Sequence, residues 1–158
     1  MRRAGHRGFT LIELVITVAL IALLAALAAP VAETVVRRGK EQDLKANLML
    51  IRDAIDAYKD AADQGRIAKA ATDTGYPVNL EVLADGVIDK GSATGAKIYF
   101  LRRVPRDPFA DPSLMPGQTW GLRASDSPPD APRSGKDVYD VRSLSDDKAL
   151  NGTYYREW

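Results

Sequence analysis

One carboxylate interrupts an apolar segment near the start of the chain. Glu13 lies directly before residues 14–32, which include no charged side chain. An ionised carboxylate in lipid costs on the order of 2.5–3.5 kcal/mol, so it persists there when it has a cationic partner. The chemistry open to Glu13 is therefore ion pairing. The alternative is a carboxylate that reaches the lipid head groups, since Glu13 lies about one helical turn from the end of the segment.

Composition limits the other chemistry that the chain could perform. Among its 158 residues there is no cysteine, and the single histidine is His6, which excludes disulfides, thiolate catalysis and a histidine base in the body of the protein. Three arginines lie in residues 1–8, and without them the chain has 19 basic and 21 acidic residues. No basic patch indicates nucleic acid. No nucleophile with a base, phosphate loop or metal-ligand motif is recognisable, so we expect that the protein is not an enzyme.

The apolar run is long enough to cross a membrane. As a helix, residues 14–32 would span about 28 Å at ~1.5 Å per residue, close to the ~30 Å of a hydrocarbon core. The arginines before it should stay cytoplasmic, which places the rest of the chain on the other side. Two interpretations remain open. Ala26-Leu27-Ala28 fits the cleavage site of an ordinary secretory leader, whereas Glu13 and a helical pattern that continues past residue 33 favour a retained anchor.

The stretch GFTLIELVITVALIALLAALAAP resembles the class III leader and N-terminal helix of type IV pilins and type II secretion pseudopilins. The matching features are a basic leader that ends in Gly8, then Phe9, Glu13, the apolar stretch and Pro30. The resemblance implies that a prepilin peptidase cuts between Gly8 and Phe9 and methylates the new amino terminus on Phe9. Weaker likeness to the major-pseudopilin branch lies in YP at 76–77, YFLRRVPRDPF at 99–109 and DVYDVRSLSDD at 137–147.

Cleavage after Gly8 would supply the partner that Glu13 needs. The new ammonium on Phe9 would lie four residues before Glu13, on the same helix face. In a filament, Glu13 of one subunit could equally meet the Phe9 amine of its neighbour, which neutralises both charges only when the subunits stack in register. Pro30 cannot donate its backbone hydrogen bond, so we expect a kink or an unwound stretch around residues 25–31.

The resemblance also makes calcium a candidate ligand, because many major pseudopilins bind it through aspartates of their last loop. The candidate residues here are Asp140, Asp146 and Asp147. Calcium takes about six to eight oxygen ligands, and residues 154–156 are Tyr-Tyr-Arg where a second acidic cluster is expected. The alternative is that these are turn residues and that the protein has no cofactor.

The remaining pattern predicts an α+β fold, with one long N-terminal helix packed on a small antiparallel sheet. Apolar residues at helical spacing from Leu44 to Ala62 predict a helix over about 9–63 that Gly65 ends. Short apolar runs predict a helical turn at 80–83 and strands at 120–123 and 138–142, joined by an exposed loop at 125–135. The predicted core is Leu44, Leu48, Ile51, Ile55, Tyr58, Ala62, Leu83, Ile98, Leu101, Trp120, Leu122, Val138, Val141 and Leu144.

The predicted domains are a leader (1–8), a transmembrane and assembly helix (9–33) and a periplasmic globular pilin-like domain (34–158).

These observations predict a structural filament subunit, with the piston-like pseudopilus of type II protein secretion as the first choice. The resemblance implies these partners: further copies of the chain, minor pseudopilins, a prepilin peptidase, and an inner-membrane assembly platform with its ATPase. The expected location is the bacterial inner membrane as a single-pass protein, with its filament in the periplasm or at the cell surface. The alternatives are a type IV pilus or DNA-uptake pilin, for which alone nucleic acid is a partner, and a periplasmic binding protein or enzyme released by an ordinary secretory signal.

Overall fold

The structure is a computed structural model that describes residues 9–70 and 72–158, apart from the side chains of residues 27–30. The predicted leader, residues 1–8, therefore lies outside the described residues. Backbone contacts divide the chain into two compact units, Met1–Gly39 and Lys40–Trp158.

Helix α1 extends from Leu11 to Asp63, which confirms the long helix that the apolar periodicity predicts. The helix is continuous across position 30. The side chain of Pro30 lies outside the described residues, so the expected kink there stays a prediction.

Gly65 ends α1 as predicted, because it has a φ of +72°, in the left-handed region that glycine enters without steric penalty. Two backbone hydrogen bonds close the last turn: Gly65 N–H donates to the Ala62 carbonyl at 3.1 Å, and Arg66 N–H donates to the Ala61 carbonyl at 2.9 Å. These bonds satisfy carbonyls that the end of a helix would otherwise leave without partners.

The second half of α1 supplies one wall of the core. Leu44, Ile51 and Ile55 are fully buried, and Leu48 is 3% exposed, so the predicted stripe of apolar residues does face inward. The other buried members of this core are Ala54, Leu80, Leu83, Leu101, Trp120, Val138, Val141, Ala149 and Tyr155.

The chain beyond α1 forms a short helix and two small sheets, which confirms the α+β class. Helix α2 is Glu81–Asp85. Strands β1 (Val87–Ile88) and β2 (Lys97–Ile98) pair antiparallel, and strands β3 (Trp120–Arg123) and β4 (Asp140–Ser143) form a separate antiparallel pair. The residues between β3 and β4 include the predicted loop at 125–135.

Details of the predicted core and strands were wrong at several positions. Leu144 is 51% exposed, because Val141 and Ser143 of β4 face the core and the alternating residues face outward. Ile98 is only partly buried, whereas Tyr58 and Leu122 are partly buried and do pack against the core. The predicted strand at 138–142 begins at Asp140 instead.

Candidate functional site

A capping box fixes the start of α1 and engages Glu13. Thr10 precedes the first helical residue, and the N–H of Glu13 donates to its Oγ1 at 3.3 Å. In return, Glu13 Oε2 accepts hydrogen bonds from Thr10 N–H at 2.9 Å and from the Thr10 hydroxyl at 2.8 Å. These reciprocal bonds satisfy backbone donors that a helix start otherwise leaves unpaired. The sequence analysis missed this role of Thr10, although the spacing Thr-x-x-Glu in TLIE is a signal for it.

Only one of the two carboxylate oxygens of Glu13 accepts hydrogen bonds from the described residues. Oε2 accepts both bonds from Thr10, while Oε1 accepts no hydrogen bond from residues 9–70 or 72–158. Phe9 is 81% exposed. In the full chain its nitrogen is a peptide nitrogen, so the predicted pair between a Phe9 ammonium and Glu13 stays a prediction. Gly8, the other half of the predicted cleavage site, lies outside the described residues.

The first part of α1, Leu11 to Ala26, is apolar except for Glu13 and Thr17. Every residue from Phe9 to Ala26 is exposed. The hydroxyl of Thr17, the only polar side chain within residues 14–26, donates to the Glu13 and Leu14 carbonyls at 2.9 Å each. A helix that is hydrophobic all round is stable only when lipid or other apolar surfaces surround it. By length and composition, α1 is able to cross a membrane.

The structure pairs two of the three calcium candidates with arginines. Asp140 Oδ1 accepts from Arg52 Nε at 2.8 Å, and Arg123 lies 4.0 Å from Asp140 Oδ2. Asp146 accepts from Arg156 at 2.6 Å. Among the residues that the structure describes, no group of three or more His, Asp or Glu side chains is placed to hold a metal ion.

A buried carboxylate, Asp137, ties three segments of the domain together. It is 4% exposed and accepts hydrogen bonds from the Thr74 hydroxyl at 2.5 Å, from Ser125 N–H at 2.8 Å and from the Ser125 hydroxyl at 2.7 Å. Burial raises the pKa of Asp137, but the bonds from Thr74 and Ser125, with the charge of Lys136, outweigh burial and leave the pKa below its usual value. The sequence analysis did not single out this residue.

The comparisons with known proteins identify the N-terminal segment. Residues 3–29 match the family model of the prokaryotic N-terminal methylation motif. No curated protein and no solved structure matches the chain. The matched range includes Phe9 and Glu13, and with Thr10 it also includes the whole capping box at the start of the apolar helix.

This chain is therefore a prepilin-like protein with a class III leader. The motif supports a type IV pilin-like substrate of a prepilin peptidase, and such a leader implies filament assembly. The leader together with the apolar part of α1 indicates a membrane-anchored, single-pass protein of the structural kind.

Proposed function

We propose that the chain is a structural subunit of a pseudopilus that acts as a piston in type II protein secretion. Prepilin peptidase cuts between Gly8 and Phe9 and methylates Phe9. Before assembly, the subunit is anchored in the bacterial inner membrane with residues 34–158 in the periplasm. It then polymerises into a helical filament. The methylation motif at residues 3–29 supports the processing step, and the likeness of residues 99–109 and 137–147 to major pseudopilins supports the branch.

The exposure of the apolar residues from Phe9 to Ala26 is the observation that carries this proposal. Each large apolar side chain that leaves water gains about 1.5–3 kcal/mol, so a segment of this length is stable only when lipid or like helices cover it. A filament of parallel helices provides such cover when the subunit leaves the bilayer. The inner-membrane platform and its ATPase would supply the work of extraction.

Glu13 explains how subunits could be held in register. Its Oε2 remains in the capping box after cleavage, because Thr10 keeps its peptide N–H and its hydroxyl. Its Oε1 then accepts from the Phe9 ammonium of a neighbouring subunit. This contact is head-to-tail and does not close on itself, so it generates an open helical filament with further copies of the chain and with minor pseudopilins.

Purified filaments test the proposal. The chain is expressed with the secretion machinery of its own cell, sheared or extracted filaments are sedimented, and the N-terminus of the subunit is read in the same sample. We expect filaments whose subunit begins at methylated Phe9, and loss of protein secretion when the gene is deleted. Filaments at the cell surface with secretion intact would instead favour a type IV pilus or a DNA-uptake filament. A soluble periplasmic protein that begins near Ala29 would overturn the filament proposal.

A further inference from the structure

A cleft beside strands β3 and β4 is lined by arginines that the filament proposal does not use. Its volume is about 520 Å³, and the loop between β3 and β4 contributes Pro129 and Pro132 to its wall. The guanidinium groups around it belong to Arg52, Arg123, Arg142 and Arg156. All of these residues lie in the unit Lys40–Trp158.

Arg142 is the unusual member of this set. Its Nε is buried and has no hydrogen-bond partner, the only buried side-chain nitrogen or oxygen in that condition among the described residues. No ion pair to Arg142 is present in residues 9–70 and 72–158 either. A buried polar group without a partner costs the free energy of its lost hydration, so such a group in a folded protein calls for an explanation such as a bound ion.

The other three arginines already have acidic partners. Asp140 engages Arg52 and Arg123, and Asp146 engages Arg156. These ion pairs hold the three guanidinium groups in place. Their charges are already balanced by the two aspartates, so they contribute less than an unpaired arginine to the binding of an anion. The two remaining acidic side chains of the lining, Asp130 and Glu157, belong to exposed residues. Arg52 also donates to the backbone oxygen of Trp158, another lining residue, at 2.7 Å.

The backbone of β3 leaves room for Arg142. Gly121 pairs directly with Arg142 across the two strands, so both lie on the same face of the sheet. A Cβ atom at position 121 would lie 3.1 Å from Arg142 Cγ and 3.3 Å from Arg142 Nε. Because Gly121 has no side chain, the aliphatic part of Arg142 packs directly over the backbone at position 121.

We propose that this cleft binds an oxyanion, a carboxylate or phosphate group, with Arg142 as the principal donor. A guanidinium offers five N–H donors in a planar fork that fits two oxygens of one carboxylate or phosphate. Arg142 lines the cleft and, among the described residues, forms no ion pair there. The ligand is either a free oxyanion or an acidic side chain of a polypeptide, and both present the same group to Arg142.

Thermal unfolding of the full chain in detergent micelles tests the site. The probes are inorganic phosphate and a short aspartate-rich peptide, each compared with sodium chloride of equal ionic strength. The variants are Arg142→Gln and, as a matched control, Arg102→Gln, which removes an exposed arginine outside the cleft. Gly121→Ala is a third variant that crowds Arg142 and keeps its charge.

We expect the melting temperature of the parent chain and of Arg102→Gln to rise by about 3–5 °C for each tenfold increase of a binding probe above its dissociation constant. The same probe should leave Arg142→Gln unshifted and should shift Gly121→Ala less than the parent. A response to phosphate supports a free oxyanion as the ligand, and a response to the peptide alone supports a polypeptide carboxylate. Equal shifts in the parent and Arg142→Gln, or no shift in the parent with either probe, would overturn the proposal.

Discussion

The hydroxyl of the fully buried Tyr155 donates a hydrogen bond of 2.9 Å to Glu41 of helix α1. The same carboxylate oxygen accepts from Leu150 N–H at 2.8 Å. The Tyr155 ring stacks on Phe109 with ring centroids 4.1 Å apart and meets the edge of Trp158 at 5.2 Å. Tyr155 therefore helps to attach the C-terminal segment to the helix, together with Leu150 and with Trp158, whose backbone oxygen accepts from Arg52 at 2.7 Å. The sequence analysis assigned Tyr155 no core role.

Replacing Tyr155 by phenylalanine should destabilise the domain with little change to the packing. The substitution removes a partner of the Glu41 carboxylate, and a lost hydrogen bond to a charged group costs about 1–3 kcal/mol. Urea unfolding followed by circular dichroism would measure the loss. The matched control is Tyr139→Phe, because Tyr139 is 40% exposed and should lose less than about 0.5 kcal/mol. Equal midpoints for the two variants would show that the contact with Glu41 contributes nothing.

Calcium should be dispensable for this domain. The arginines at positions 52 and 156 already neutralise Asp140 and Asp146, so we propose that the last loop is held by ion pairs. The melting temperature of the parent chain should be the same in chelator as in millimolar calcium chloride, with magnesium chloride as the control for ionic strength. A rise of several degrees with calcium alone would mean that the aspartates exchange arginine for the metal.

The buried carboxylate of Asp137 should make stability depend on acid pH. Because its folded-state pKa lies below the unfolded value, it contributes stability that is present above about pH 4 and is lost as the pH falls through the folded-state pKa. Asp137→Asn should therefore flatten the stability profile below about pH 4 and lower stability at neutral pH by about 1–2 kcal/mol. Asp126→Asn, at an exposed position, is the matched control. If Asp137→Asn lost stability in acid just as the parent chain does, the pH dependence would come from other groups.

Glu13→Ala should separate processing from assembly. Without the carboxylate, each Phe9 ammonium would enter the filament unpaired, at a cost on the order of 2–3 kcal/mol, so filament yield should fall about tenfold or more while cleavage continues. Glu33→Ala, at an exposed position of the same helix, is the control and should assemble normally.

Thr10→Val removes the hydroxyl of the capping box and keeps the Glu13 carboxylate, so it should lower the filament yield less than Glu13→Ala does. Filament yield is read by shearing and immunoblotting, and parental yield from Glu13→Ala would refute the role in register.

Local patterns made part of this structure readable from the sequence. The extent of α1 and the inward face of Leu44, Ile51 and Ile55 follow from a spacing that any helix must respect. The end at Gly65 follows equally from a local backbone conformation. The capping box between Thr10 and Glu13 is also a local pattern, because its residues lie three positions apart.

The parts that escaped prediction depend on residues brought together from distant points of the chain. Arg52 and Asp140 are 88 positions apart, so no local pattern shows that an arginine on α1 forms an ion pair with an aspartate that was a candidate calcium ligand. The same holds for Tyr155 and Glu41, which are 114 positions apart. Leu144 is apolar and adjacent to a strand, but the alternation of β4 turns it outward, and only the observed register fixes that alternation.

The mass of the intact mature protein tests the central claim most directly. The full gene is expressed in cells that contain a prepilin peptidase, and the membrane fraction is analysed by mass spectrometry, with Gly8→Asp as the variant that should block the cut. We predict a chain that lacks residues 1–8 and carries one added methyl group, and an uncleaved chain for Gly8→Asp. A mature chain that begins near Ala29, or an unchanged cut in Gly8→Asp, would contradict the account of this protein as a processed, membrane-anchored filament subunit.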